Sequence, residues 1–144
     1  MLCITTILRL AGLLKRGFQI RVENPPWKDL VIRDLQQTGP HGIPAISVAH
    51  CEDEKGTVAV DPEMHFEMET QAGEIVLRPF YYRNTILEVD AYSALFKEGR
   101  VVVNHELQQE HEDFADMWDQ NLLAQGYAEV FLRKIEESDS TDNN

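Results

Sequence analysis

The sequence predicts an α+β fold: an N-terminal helix, an antiparallel meander sheet of five to seven strands, and a C-terminal helix packed on one sheet face. Three observations carry this. Apolar residues recur at helical spacing near both ends of the chain. Between them lie short runs of period two, separated by turn-forming residues at hairpin intervals. The chain has 144 residues, 43% of them hydrophobic, enough for one core and too few for two.

The elements follow in order. Ile4, Ile7, Leu8, Ala11 and Leu14 step along one helical face, with Thr5 or Thr6 placed to cap its start. Lys15 and Arg16 suit the negative end of the helix dipole, and Gly17 supplies a left-handed ending. Phe18, Ile20 and Val22 alternate with Gln19 and Arg21, as in a strand, which Pro25 and Pro26 terminate. Leu30 to Leu35 is again extended. Thr38 to Gly42 separates it from a strand over Ile43 to Cys51, and Glu52 to Gly56 forms the next turn. The clearest alternation then follows: Pro62, Met64, Phe66 and Met68 face one way, and Asp61, Glu63, His65, Glu67 and Glu69 the other. Further strands are predicted over Glu74 to Tyr82, Thr85 to Tyr92 and Val101 to Val103, with turns at Gln71-Ala72-Gly73, Arg83-Asn84 and Lys97 to Arg100. Successive short connections favour a meander. From about residue 105 to residue 125, Leu107, His111, Phe114, Trp118, Leu122 and Gln125 share a helical face, and Gly126 stops the helix. Tyr127, Val130, Phe131, Lys134 and Ile135 continue as a second short helix. The predicted domain spans 1–135, and 136–144 reads as a disordered acidic tail.

Charge narrows the classes of function. The formal net charge is −12, which repels phosphate backbones and anionic lipid and makes nucleic acid and membranes poor partners. No apolar run approaches the ~20 residues that span a bilayer, and the N-terminal apolar run lacks the flanks of a secretory leader. Two cysteines, Cys3 and Cys51, form neither a disulfide framework nor a CxxC pair, so a reduced, cytoplasmic chain is expected. The charge is also uneven. Residues 1–35 carry six basic against three acidic side chains, whereas the stretch between Arg100 and Arg133 holds seven acids and no base.

Several constellations bear on chemistry. His105 and His111 are six residues apart, about 240° around a helix, and cannot clamp one ion as helical zinc motifs do. His111 is expected on the packing face. His50, Glu63 and His65 would form a mixed imidazole and carboxylate metal site if neighbouring strands brought them to one face; the competing reading is an ordinary polar sheet surface. Arg78, Phe80 and Tyr82 follow one strand face, as in sheets that stack single-stranded bases, but the net charge opposes that use. Cys51 and Ser47 lack a glycine-flanked elbow and an identifiable base, and no glycine-rich phosphate loop is present, so no catalytic residues and no cofactor are assigned.

The acidic helix offers the best binding surface. Glu106, Glu112, Asp113, Asp116 and Asp119 are expected opposite the Phe114 and Trp118 face, with Leu123 as an apolar centre. Charge of this kind steers a basic protein partner while apolar contact holds it. The competing reading covers Leu123 with the last helix. Oligomeric state is not legible.

Glu23-Asn24-Pro25-Pro26-Trp27, Leu30-Val31-Ile32, Gly39-Pro40, Ala45 to His50, Asp61-Pro62-Glu63-Met64, Trp118 to Leu122 and Gln125-Gly126-Tyr127 together resemble a prokaryotic family of small single-domain proteins known as a domain of unknown function. Its members occur on plasmids, phages and integrated elements. The resemblance covers about residues 8–127 and implies a bacterial or phage origin. It brings no catalytic residues. By analogy with small acidic proteins of mobile elements, it also implies accessory work such as antagonism of host defence, with a nucleic-acid-binding host protein as one kind of basic partner.

Overall fold

The computed structural model describes residues 1–12, 14–54 and 57–142. Helix α1 (Leu2–Ala11) precedes a six-stranded antiparallel meander formed by β1 (Gln19–Val22), β2 (Asp29–Thr38), β3 (Pro44–Glu54), β4 (Thr57–Gln71), β5 (Glu74–Asn84) and β6 (Val89–Tyr92). A separate hairpin, β7 (Ala94–Lys97) and β8 (Arg100–Val103), leads into α2 (His105–Ala124) and α3 (Tyr127–Asp142). The architecture is the α+β meander predicted above, with the strands lying in sequence order.

Strand parity builds the core. Ile20 and Val22 of β1 pair with Ile32 and Leu30 of β2, and Ile46 and Val48 of β3 pair with Phe66 and Met64 of β4. All eight are buried, and they pack in one cluster with Ile4, Ile7 and Leu8 of α1, Trp118 and Leu122 of α2, and Tyr127 and Phe131 of α3. Each large side chain in such a layer contributes roughly 1.5–3 kcal/mol of burial. The three helices therefore cover one face of the sheet, and Arg21, Val31, Arg33, Ser47, Ala49, Glu63, His65 and Glu67 project from the other.

The turns obey local chemistry. Between β4 and β5, Ala72 and Gly73 have φ of 51° and 81°; between β7 and β8, Glu98 and Gly99 have 53° and 78°. Both are two-residue loops with two left-handed positions, the geometry that matches strand twist. Asn104 caps α2 by accepting a hydrogen bond from the Leu107 amide (3.1 Å).

Three boundaries differ from expectation. Helix α1 stops at Ala11 because Gly12 takes the left-handed turn (φ 78°), so Leu14 and Gly17 lie beyond it. Thr85 to Glu88 is a turn rather than strand, since Asn84 Oδ1 accepts hydrogen bonds from the amides of Ile86 and Leu87. Helix α3 runs on to Asp142, past the expected domain end at residue 135, with no Pro or Gly to break it; Ile135 is its last apolar residue. Lys55 and Gly56 of the expected turn, and Asn143 and Asn144 of the expected tail, lie outside the described residues.

Candidate functional site

The acidic residues of α2 divide. Glu106, Glu112, Asp113 and Asp116 are exposed, as predicted. Asp119 is not among them: it is buried, and its carboxylate accepts hydrogen bonds from the amides of Leu2 (2.9 Å) and Cys3 (2.8 Å) at the start of α1. The reason is electrostatic, since the first turn of a helix leaves amides unpaired and favours an anion. Leu123 is half-buried and packs against the core, so it is no apolar centre for an outer patch.

The three residues considered for a metal are also separated. Strands β3 and β4 do pair, but Ser47 stands opposite His65 and Ala49 opposite Glu63, which puts His50 on the helix-covered side. There it lies edge-on to Trp118 (5.4 Å between ring centroids) and against Tyr127 (5.6 Å). Burial, with the charge of Lys28, lowers its pKa to about 4. Glu63 and His65 are together on the opposite face, and among the described residues no group of three His, Cys, Asp or Glu side chains could hold a metal ion. Parity decided this, because a one-residue difference changes the face.

The helix-free face is the more structured surface. Glu67 is 2% exposed and clamps the β2–β3 loop: its Oε2 accepts the His41 amide (2.9 Å), and its Oε1 lies 2.7 Å from His41 Nδ1. Gly39 passes so near that a Cβ there would stand 2.3 Å from Glu67 Cγ. Glu63 forms a second centre. Its Oε2 accepts from Ser47 Oγ (2.6 Å) and lies 3.2 Å from His65 Nε2 and 3.4 Å from an Arg33 guanidinium nitrogen, while its Oε1 is 3.6 Å from an Arg83 nitrogen. Burial opposes ionisation, but the hydrogen bonds from His65 and Ser47 and the charges of His65 and Arg33 outweigh it and hold the pKa at about 2. Beside this centre is a cavity of about 290 Å³, lined by Val31, Arg33, Ser47, Ala49, Cys51, Val60, Glu63 and Arg83. Its thiol and hydroxyl are not poised as nucleophiles. Burial raises the pKa of Cys51, and Ser47 is fully buried with its hydroxyl donating to Glu63.

A second cavity, of about 280 Å³, adjoins His65 and is bounded by Leu35, Ala45, Phe80, Tyr92, Leu95 and Phe96. Its outer wall is apolar and exposed: Phe96 is 64% accessible and Tyr92 53%. His65, Tyr81 and Tyr92 form a ladder across β4, β5 and β6, with centroids 4.5 and 4.4 Å apart. The face expected for Arg78, Phe80 and Tyr82 does not exist as such. A bulge in β5 shifts the register between His65 and Phe66. Tyr82 therefore packs on Phe114 of α2, whereas Phe80 clusters with Ala45, Tyr81 and Ala94 beyond the sheet. His111 is buried on the packing face of α2, 2.8 Å from Ser93 Oγ, as anticipated.

Sequence reasoning missed Arg33, Arg83 and the Phe96 wall. Arg33 and Arg83 lie fifty residues apart and meet only through β3 and β4. Phe96 sits on a hairpin outside the main sheet, so no sheet periodicity marked it.

The molecule is thus an α+β domain, an antiparallel meander with helices on one face and polar and aromatic side chains around two cavities on the other. The chain belongs to the family described as a domain of unknown function, DUF6908, whose model matches residues 3–128. No curated protein and no solved structure matches it.

Proposed function

We propose that this chain is a non-enzymatic protein-binding module that engages a basic partner, with Tyr92, Leu95 and Phe96 as apolar anchors and the exposed acids of α2 as steering charge. The observation that carries the reading is the uncovered wall of the 280 Å³ cavity, where these three side chains stand together. Val102, opposite Leu95 on β8, extends it. Scattered apolar residues are ordinary on a surface, but a contiguous group around a cavity is a contact site. Acid lies alongside: Glu112 borders a further cavity with Phe80, Ala94 and Val103. Glu106, Asp113 and Asp116 extend the negative charge along α2. In this reading the protein serves a phage or mobile element in the bacterial cytoplasm, and its partner is a basic host protein of the nucleic-acid-binding kind.

Capture from a host extract tests this. The wild-type protein should retain a basic partner, Leu95→Asp or Phe96→Asp should lose it, and Glu112→Lys with Asp113→Lys should weaken it and flatten its salt dependence. Retention unchanged by either pair of substitutions overturns the proposal.

A further inference from the structure

The cavity beside Glu63 has features that protein docking on the Phe96 wall does not explain. Other bases on this face have closer partners of their own: Arg21 meets Asp29 at 2.9 Å, Arg78 is paired with Glu69, and His41 with Glu67 at 2.7 Å. Arg33 and Arg83 instead share one carboxylate, at 3.4 and 3.6 Å, beyond a good charge-assisted hydrogen bond. Each guanidinium has five N–H donors, so most are unspent. Asp90 stands opposite Arg83 in the β5–β6 register without forming an ion pair with it among the described residues. Arg33 and Arg83, with His65, converge on this one carboxylate beside a cavity whose remaining wall, Val31, Ala49 and Val60, is apolar.

We infer that this cavity binds a small organic monocarboxylate, its carboxylate held between Arg33 and Arg83 and its apolar body against Val31, Ala49 and Val60. The charge selects a monoanion. A dianionic phosphate would meet the Glu63 carboxylate with twice the charge of a monocarboxylate. The volume, about 290 Å³, fits a body the size of a benzene ring or a short branched chain. Glu63 is a positioning residue: anchored by Ser47 and His65, it holds both guanidinium groups at the cavity mouth.

Calorimetric titration with benzoate, phenyl phosphate, inorganic phosphate and benzyl alcohol tests the inference. Benzoate should saturate one site at up to about 10 mM, while benzyl alcohol should not bind. Arg33→Gln and Arg83→Gln should each weaken benzoate by roughly tenfold; both arginines are half-exposed, so the fold should survive, as circular dichroism would show. With unaltered protein, saturating benzoate should slow iodoacetamide alkylation of Cys51, which lines the cavity, by at least roughly threefold. Absence of saturable benzoate binding, affinity unchanged in the two variants, stronger binding of either phosphate, or unchanged Cys51 alkylation would each overturn it. Leu95→Asp should leave benzoate binding intact, so failure here and failure of the protein-binding reading are separately visible.

Discussion

At Asp119, one carboxylate from the middle of α2 closes the start of α1 by accepting two amide hydrogen bonds. Asp119→Ala should lower stability by about 2–3 kcal/mol in urea unfolding, because it strands buried amides as well as removing charge. Asp113→Lys, on the exposed face of the same helix, should change it by less than about 0.5 kcal/mol. Glu63 and His50 govern the acid limb. The folded pKa of Glu63, about 2, lies below its ordinary 4.5, so its contribution is full above pH 4.5 and is lost as the pH falls toward 2. His50, lowered from 6.5 to about 4 by burial, must stay neutral, and its contribution is lost as the pH falls from 6.5 through 4. Urea midpoints followed against pH should therefore decline in two stages. His50→Phe should flatten the upper stage and Glu63→Gln the lower. The two residues, grouped in the sequence as metal ligands that strand pairing would bring to one face, lie on separate faces and have separate pH windows.

Among the elements, β4 was the most legible, because its alternation survives over Pro62 to Glu69 and a strand with one covered face must alternate. The α2 packing face was legible for the same reason: His111, Trp118 and Leu122 are where helical spacing puts them. What periodicity could not supply was its interruption. The register shift between Ala49 and Cys51, which falls at Asp61 and Pro62 of β4, and the bulge in β5 each break the alternation locally. The end of α1 was misplaced for a different reason: Gly12 and Gly17 are both plausible stops, and Gly17 instead donates its amide to Asp34 (2.8 Å). Loop placement is also enforced sterically. Gly39→Ala would set a methyl group into Glu67, displacing the clamp on the β2–β3 loop, and should cost about 1–3 kcal/mol by urea unfolding. Gly42→Ala, whose methyl group would meet open space but whose φ is 77°, should cost about 1 kcal/mol in the same measurement.

For the whole molecule, the −12 charge sets the response to salt. Self-repulsion should exceed the benefit of the partly exposed ion pairs, so raising sodium chloride from about 0.05 to 0.5 M should raise the thermal midpoint, and a fall would show that the pairs dominate. Global charge was readable from composition; the local positive spot at Arg33 and Arg83 was not, since it arises from strands folding together. The same long-range closure appears in time. Every strand of the meander pairs with its neighbour in sequence, so the sheet assembles by short steps, whereas α1 packs chiefly on α2 and α3. During synthesis α1 leaves the ribosome before the sheet, α2 and α3, and finds its capping carboxylate and its packing partners last. Ile4, Ile7 and Leu8 are thus an apolar segment awaiting shelter until α2 and α3 have been made, which makes α1 a stretch for a chaperone to hold in the nascent chain.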